Sequence, residues 1–287
     1  MSADLTYLQA VILGVVEGLT EFLPVSSTGH LTITEKIMGL EVDSAAVTAY
    51  TAIIQVGAII ATFAYFAKKI VRLVVAWVNG LRSAPARQSH DYKLAWAVIV
   101  GSIPVGIVGF ALRHVVEGPL RSLWVVAGAL IVWSMVIWWA EGRHDDLEKL
   151  GVQRGEGQVT IVDGLVIGLV QCFSLIPGVS RSGATISTGL ARGIDRVSAT
   201  ELSFFLAIPA LTAAGAFEAL QNASDIAALG VGQMLVGILV AFVVAYASIA
   251  WLLRFVQSNS LRTFIWYRIL LGAGLVVVLG MGWLTAT

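Results

Sequence analysis

Charge is scarce in this sequence: only 13% of its 287 residues are Asp, Glu, Lys or Arg, with 18 basic residues balanced by 18 acidic ones. A soluble globular domain carries about 25% charge, so an ordinary soluble enzyme and a disordered chain are both excluded. There is no excess of positive charge, which removes the basic footprint that nucleic-acid binding needs. The single cysteine, Cys172, lies in an apolar run and excludes a disulfide framework and a cysteine-based metal site. Any cofactor must be held by oxygen or imidazole ligands. What is abundant is apolar: 57% of the residues are hydrophobic, and the mean hydropathy is +0.86. The composition is that of a polytopic membrane protein.

Long apolar stretches run at about 45–67, 94–112, 120–140, 200–220, 228–253 and 265–284. At 1.5 Å per residue each can cross a hydrocarbon core about 30 Å thick. Residues 1–16 carry no Lys or Arg ahead of their apolar stretch, fail the signal-peptide pattern and are expected to stay in the mature chain. Two further apolar segments, 5–24 and 159–176, run straight into FLPVSSTGH at 22–30 and LIPGVSRSGAT at 175–185, then continue as short helical stretches ending near Gly39 and Arg192. They are either two more spans or the first arms of re-entrant hairpins.

Basic residues gather on the cytoplasmic side of a membrane protein, and this decides between the two readings. Eight spans would split the loop Lys and Arg nine to eight. Six spans with two hairpins put thirteen on one side (those at 68–93 and 141–158, with Arg192, Arg196, Arg254 and Arg262) and leave Lys36, Arg113 and Arg121 on the other. The expected fold is therefore an all-α polytopic membrane protein: six transmembrane helices plus two re-entrant helical hairpins in a single integral membrane domain, 1–287. Both termini lie outside, and the loops at 68–93, 141–158 and 254–264 are cytoplasmic.

The chain then reads as a hairpin (5–40) plus three spans, over about 1–140, followed by a hairpin (159–192) plus three spans, over about 159–287. An odd number of crossings makes this an inverted-topology repeat. Allowing a gap, Pro24, Ser26, Ser27, Thr28 and Gly29 align with Pro177, Ser180, Arg181, Ser182 and Gly183. Non-helical backbone at membrane depth must be buried in protein or line a wet cavity, so the two tips are expected to meet at a site.

Glu17 and Glu21 are one helical turn apart on the first arm. Carboxylates at membrane depth mark function by default, and the cation between them is a divalent metal, a guanidinium or a shared proton. Snorkelling to the surface is the bland alternative. At the tips, Ser26, Ser27, Thr28 and His30 face Ser180, Arg181, Ser182 and Thr185. Hydroxyls, a guanidinium and free backbone N–H groups at helix starts suit a phosphate, although Ser and Thr also satisfy backbone at helix breaks. Gln55 and Glu201 fit either interhelical hydrogen bonding or the rim of the site. Gly14 and Gly18 form a helix-packing pair. The segment 68–82 reads as an amphipathic interfacial helix, 141–157 as a solvated loop without a motif, and Arg268 as a residue near a helix end.

EGLTEFLPVSSTGHL at 17–31 and PGVSRSGATIS at 177–187, with IIQVGAI at 53–59 and ELSFFLAIP at 201–209, resemble the undecaprenyl pyrophosphate phosphatase family, also called bacitracin resistance protein. The resemblance covers essentially the whole chain. It implies a hydrolase of the bacterial cytoplasmic (inner) membrane that removes the terminal phosphate of a polyprenyl pyrophosphate lipid, recycling the carrier for cell-wall synthesis. It also implies a divalent cation, Mg2+ or Ca2+, and a site opening toward the periplasm.

On this sequence the family's acidic motif falls on Glu17 and Glu21, expected to bind the metal. The nucleophile falls on Ser27, the histidine on His30, and the phosphate-binding arginine on Arg181 beside Ser180 and Thr185. Ser26, Ser182 and Gln55 complete the expected substrate contacts. Attack by Ser27 and attack by activated water both fit, as do His30 and a glutamate as general base. Transport of a lipid phosphate through the same site is the alternative function. Membrane lipids are the expected surroundings, and a monomer and a homodimer both fit.

Overall fold

The computed structural model describes residues 5–42, 44–117, 119–221, 226 and 229–286; the expectation for the extreme N-terminus, residues 1–4, lies outside them. Among the described residues the α-helices are α1 (Tyr7–Thr20), α2 (Ser27–Ile37), α3 (Ala45–Tyr65), α4 (Ala67–Arg82), α5 (His90–Ala111), α6 (Arg113–Glu117), α7 (Leu123–Lys149), α8 (Ile161–Gln171), α9 (Arg181–Ala191), α10 (Arg196–Gln221), α11 (Val231–Phe255) and α12 (Arg262–Gly280). The described residues form no strand, only an isolated bridge between Arg154 and Ile194. Six helices, α3, α5, α7, α10, α11 and α12, are long and apolar enough to cross a membrane. They are the six expected spans, and α1–α2 and α8–α9 are the two broken segments.

Capping residues set where these helices begin. Ser44, Ser89 and Ser122 cap α3, α5 and α7 with their hydroxyls, satisfying N–H groups that have no partner inside the helix. The two broken segments share a more detailed pattern. Thr6 and Gln9 form a capping box at α1, and Thr160 and Asp163 form one at α8. At the same offset along the chain, Ser26 and Ser180 cap α2 and α9, and Gly39 and Gly193 end those arms in left-handed backbone with φ of 70° and 82°. Pro24 in this register corresponds to Gly178. The alignment with Pro177 expected from the sequence is thus one residue out, because the proline is not what the two tips have in common.

Close helix packing seats both broken segments. α1 runs along α11, where a Cβ on Gly14 would stand 2.8 Å from the Gly237 carbonyl and one on Gly18 would stand 2.7 Å from that of Ala241. α8 runs along α5, and a Cβ on Gly164 or Gly168 would collide with the carbonyls of Ala97 or Gly101. Small residues let the backbones approach, which drives helix association where lipid removes the hydrophobic effect. The Gly14/Gly18 pair expected from the sequence therefore has a counterpart, Gly164/Gly168.

The charges collect at two ends of the bundle. At one end Asp163, fully buried, accepts from Arg154 and Arg192 at 2.8 and 2.6 Å. At the same end Arg196 meets Glu141 and Asp145, Arg262 meets Asp145, and Lys69 pairs with Glu156 and Glu201. Lys36 lies at the opposite end with Thr285, and Arg121 lies there with Thr48. α4 is the expected amphipathic helix: Leu73 and Gly80 face the bundle, while Val71, Val74 and Leu81 are exposed.

Two expectations need correction. Residues 141–149 are not loop but the last turns of α7, with Glu141 and His144 buried; Glu141 also accepts from the Leu261 N–H at 2.7 Å. The arginines of α10 and α12 draw this acidic segment onto the bundle. Arg268, fully buried, lies in the interior and not at a helix end. Glu201 is held by Lys69 in the charged end of the bundle and is not at the tips.

Candidate active site

The two tips touch. Ser26 and Ser180 both adopt left-handed backbone, with φ of 78° and 76°, which costs a residue other than glycine about 1–3 kcal/mol and recurs at functional sites. Each serine caps its helix by accepting from a glycine N–H, Gly29 at 3.4 Å and Gly183 at 3.1 Å. The Ser26 hydroxyl also accepts from the Gly178 N–H at 3.1 Å, and Ser182 donates to the Leu23 carbonyl at 2.8 Å. Gly178 has φ of 100°, and a Cβ there would stand 2.5 Å from the Val126 carbonyl. Only glycine fits that turn.

Against this junction lies a chain of polar groups. The Ser27 hydroxyl donates to Glu21 Oε2 at 2.6 Å, and Arg181 donates to Glu21 Oε1 at 3.4 Å and to the Ser203 carbonyl at 2.9 Å. Glu21 and Arg181 side chains are 4% and 10% exposed, so their pairing is set in a low-dielectric surrounding where an unpaired charge is costly. One turn earlier Glu17 is buried, and its Oε1 has no hydrogen-bond partner, nor has Arg181 Nε. Buried polar groups are nearly always paired. Two such atoms at one site mark capacity held for something else.

The other expected residues divide. Ser26, Ser180, Ser182 and Thr185 are all at the tips but buried, and their hydroxyls are spent on protein. Ser180 and Ser182 share a 3.0 Å hydrogen bond, and Thr185 donates to the Arg181 carbonyl at 2.8 Å and pairs with the Ser203 hydroxyl at 2.7 Å. They hold the tips in shape. His30 shares the helix with Ser27 but bonds elsewhere: Nδ1 to the Ser26 carbonyl at 2.7 Å and Nε2 to the Tyr267 hydroxyl at 2.6 Å. A carbonyl only accepts, so the neutral ring carries its proton on Nδ1 and Nε2 accepts from the phenol. Gln55, on α3, is half-buried and makes no hydrogen bond to the tip residues.

Sequence reasoning missed several members of this region. Tyr267 stacks on His30 with ring centroids 5.6 Å apart. Arg268 donates to carbonyls of both tips, Pro24 at 3.0 Å and Gly178 at 2.9 Å. Gln171 stands at the position of α8 that matches Glu17 in α1, fully buried and with neither side-chain polar atom partnered. The signal for Arg268 was present, an arginine inside the apolar run 265–284; its two partners were not visible.

Among the described residues no three His, Cys, Asp or Glu side chains converge as a ready cation cage. A pair of carboxylates still suits a hard divalent cation that takes its remaining ligands from water and phosphate, as Mg2+ commonly does. The unpartnered Glu17 Oε1 fits that role, with Glu21 as the second donor.

A family model described as bacitracin resistance protein BacA matches residues 10–274. The undecaprenyl-diphosphatase of Cutibacterium acnes is 51% identical over 285 residues, covering 96% of this chain and 97% of its own. Undecaprenyl-diphosphatase 3 of Frankia casuarinae is 53% identical over 281 residues, covering 98% and 99%. Undecaprenyl-diphosphatase 1 of Streptomyces avermitilis is 54% identical over 277 residues, covering 96% of each.

Proposed function

The chain belongs to the bacitracin resistance protein BacA family, and on that premise we propose that it is a membrane phosphatase whose reaction takes place where the two tips meet. It hydrolyses undecaprenyl pyrophosphate to undecaprenyl phosphate and inorganic phosphate, which recycles the lipid carrier for wall synthesis and confers bacitracin resistance. The relatives' shared name favours hydrolysis over transport.

The observation that carries the mechanism is the sequence of contacts Ser27–Glu21–Arg181. Arg181 and the N–H groups at the starts of α2 and α9 receive the diphosphate. Ser27 Oγ attacks the terminal phosphorus in line, its proton passes to Glu21 Oε2, and the bond from that phosphorus to the bridging oxygen breaks to release undecaprenyl phosphate. Glu21 hands that proton to the departing bridging oxygen; water then attacks the phosphoserine, Glu21 takes the water proton and returns it to Ser27 Oγ as the bond from phosphorus to Oγ breaks and inorganic phosphate leaves. The 2.6 Å hydrogen bond supports Glu21 as the base, since His30 is engaged with Ser26 and Tyr267. Phosphoryl transfer asks mainly for alignment and charge neutralisation. A divalent cation, Mg2+ or Ca2+, held by Glu17 and Glu21 would supply the second when bound.

The matched caps and packing of α1–α2 and α8–α9 support reading them as re-entrant hairpins of an inverted-topology repeat. The acidic and basic network at the end holding residues 141–163 supports that end as cytoplasmic, with both termini and the site facing the periplasm. Release of phosphate from farnesyl pyrophosphate by purified protein in detergent tests the function. Detergent leaves no second compartment, so a carrier without hydrolytic activity would release none.

A further inference from the structure

Arg268 has a place in the site that neither its sequence position nor the family name assigns. It is fully buried, and among the described residues no carboxylate lies within ion-pair distance of it. Arg154, Arg181, Arg192 and Arg196, by contrast, each meet one. Its donors go to neutral acceptors: the Ser134 hydroxyl at 3.2 Å and the carbonyls of Ala129, Pro24 and Gly178 at 3.5, 3.0 and 2.9 Å. Ser134 gives its own proton to the Leu130 carbonyl, which leaves it a lone pair to offer the guanidinium.

Pro24 and Gly178 occupy equivalent positions, each two residues before the left-handed serine that caps the following helix. One planar guanidinium thus holds the same peptide carbonyl in both tips, a geometry lysine lacks the fork to reproduce. Burying a cation without a counter-charge costs several kcal/mol. Such a cost persists where a bound anion offsets it.

We propose that Arg268 is a positioning residue for the phosphatase reaction: it sets the two tips in register through their equivalent carbonyls, and its unpaired charge lies beneath the junction to be compensated by the diphosphate. The role rests on the function given above. It divides into two parts, geometry and charge, which two variants separate. Arg268→Lys keeps the charge and loses the fork. Arg268→Gln keeps a donor and loses the charge.

The experiment measures binding of methylenediphosphonate, a non-hydrolysable diphosphate, and steady-state turnover of farnesyl pyrophosphate, in magnesium-containing detergent solution, alongside thermal unfolding without ligand. Arg268→Lys is expected to bind the diphosphonate within about threefold of wild type while kcat falls by about tenfold or more and KM changes little. Arg268→Gln is expected to bind about tenfold more weakly, with an unfolding temperature no lower than that of Arg268→Lys, because removing an uncompensated buried charge relieves a cost. Wild-type diphosphonate affinity in Arg268→Gln, or wild-type kcat in Arg268→Lys, overturns the proposal. Loss of the fold in both variants overturns it in favour of a purely structural role. Failure of wild-type protein to bind the diphosphonate and to release phosphate sinks the function itself, a result distinct from either variant behaving as wild type.

Discussion

Ser27 and Glu21 are joined by a 2.6 Å hydrogen bond across the turn between α1 and α2, Glu21 standing just past the end of α1 and Ser27 at the first position of α2. The turn over residues 21–25 brings the hydroxyl to the carboxylate. A nucleophile and a base in contact, with the base oriented by Arg181, form the arrangement that activated nucleophiles require.

Ser27→Ala and Glu21→Gln are each expected to lower kcat by about 10²- to 10⁴-fold. Because the two act as one unit, the double variant should be scarcely worse than either single one. Rapid-quench trapping should find a phosphorylated wild-type enzyme and none in Ser27→Ala. Substantial turnover by Ser27→Ala would instead make water the attacking group.

Tyr267→Phe removes the hydrogen bond to His30 Nε2 and should leave kcat within about fivefold of wild type, since one such bond is worth about 1 kcal/mol. A loss in His30→Ala or Tyr267→Phe as deep as that of Glu21→Gln would move the base assignment to His30.

Chelation should abolish phosphate release, and added Mg2+ should restore it. Glu17→Gln, whose Oε1 has no protein partner to lose, should fold normally yet raise the Mg2+ concentration for half-maximal activity about tenfold or more, as removal of a charged ligand does. An unchanged magnesium titration would show that Glu17 is not a ligand.

Gly168→Ala forces a methyl against the Gly101 carbonyl, whereas Gly128→Ala meets nothing within 4 Å. The first is expected to lower stability by about 1–3 kcal/mol and the second to leave thermal unfolding in detergent unchanged. Equal behaviour of the two would contradict the close approach of α5 and α8.

Much of the site was legible in the sequence for a single reason, cost. Glu17, Glu21 and Arg181 are charges within long apolar surroundings, and the serines sit where Pro and Gly break a helix. What could not be read was how the hydroxyls are used. Ser182, Thr185 and Ser27 look alike in sequence, but the first two are fully buried and spent on protein contacts, while Ser27 is partly open and bonded to Glu21. His30 and a glutamate both fit the sequence as the base for Ser27, and the sequence does not show that the His30 ring bonds Tyr267, a residue from the far end of the chain. The acidic stretch at 141–157 read as solvated because local composition does not show that Arg196 and Arg262 come to meet it.

By itself the sequence determined that the chain is an all-helical membrane protein with six spans and two broken segments, because span length, charge scarcity and helix-breaking residues are local properties. Only the tertiary structure decided that Arg268 joins Pro24 to Gly178. Those three residues lie on separate helices and turns, and nothing local links them. Close packing at small residues brings the helices together, and a buried guanidinium takes whatever acceptors that packing leaves within reach.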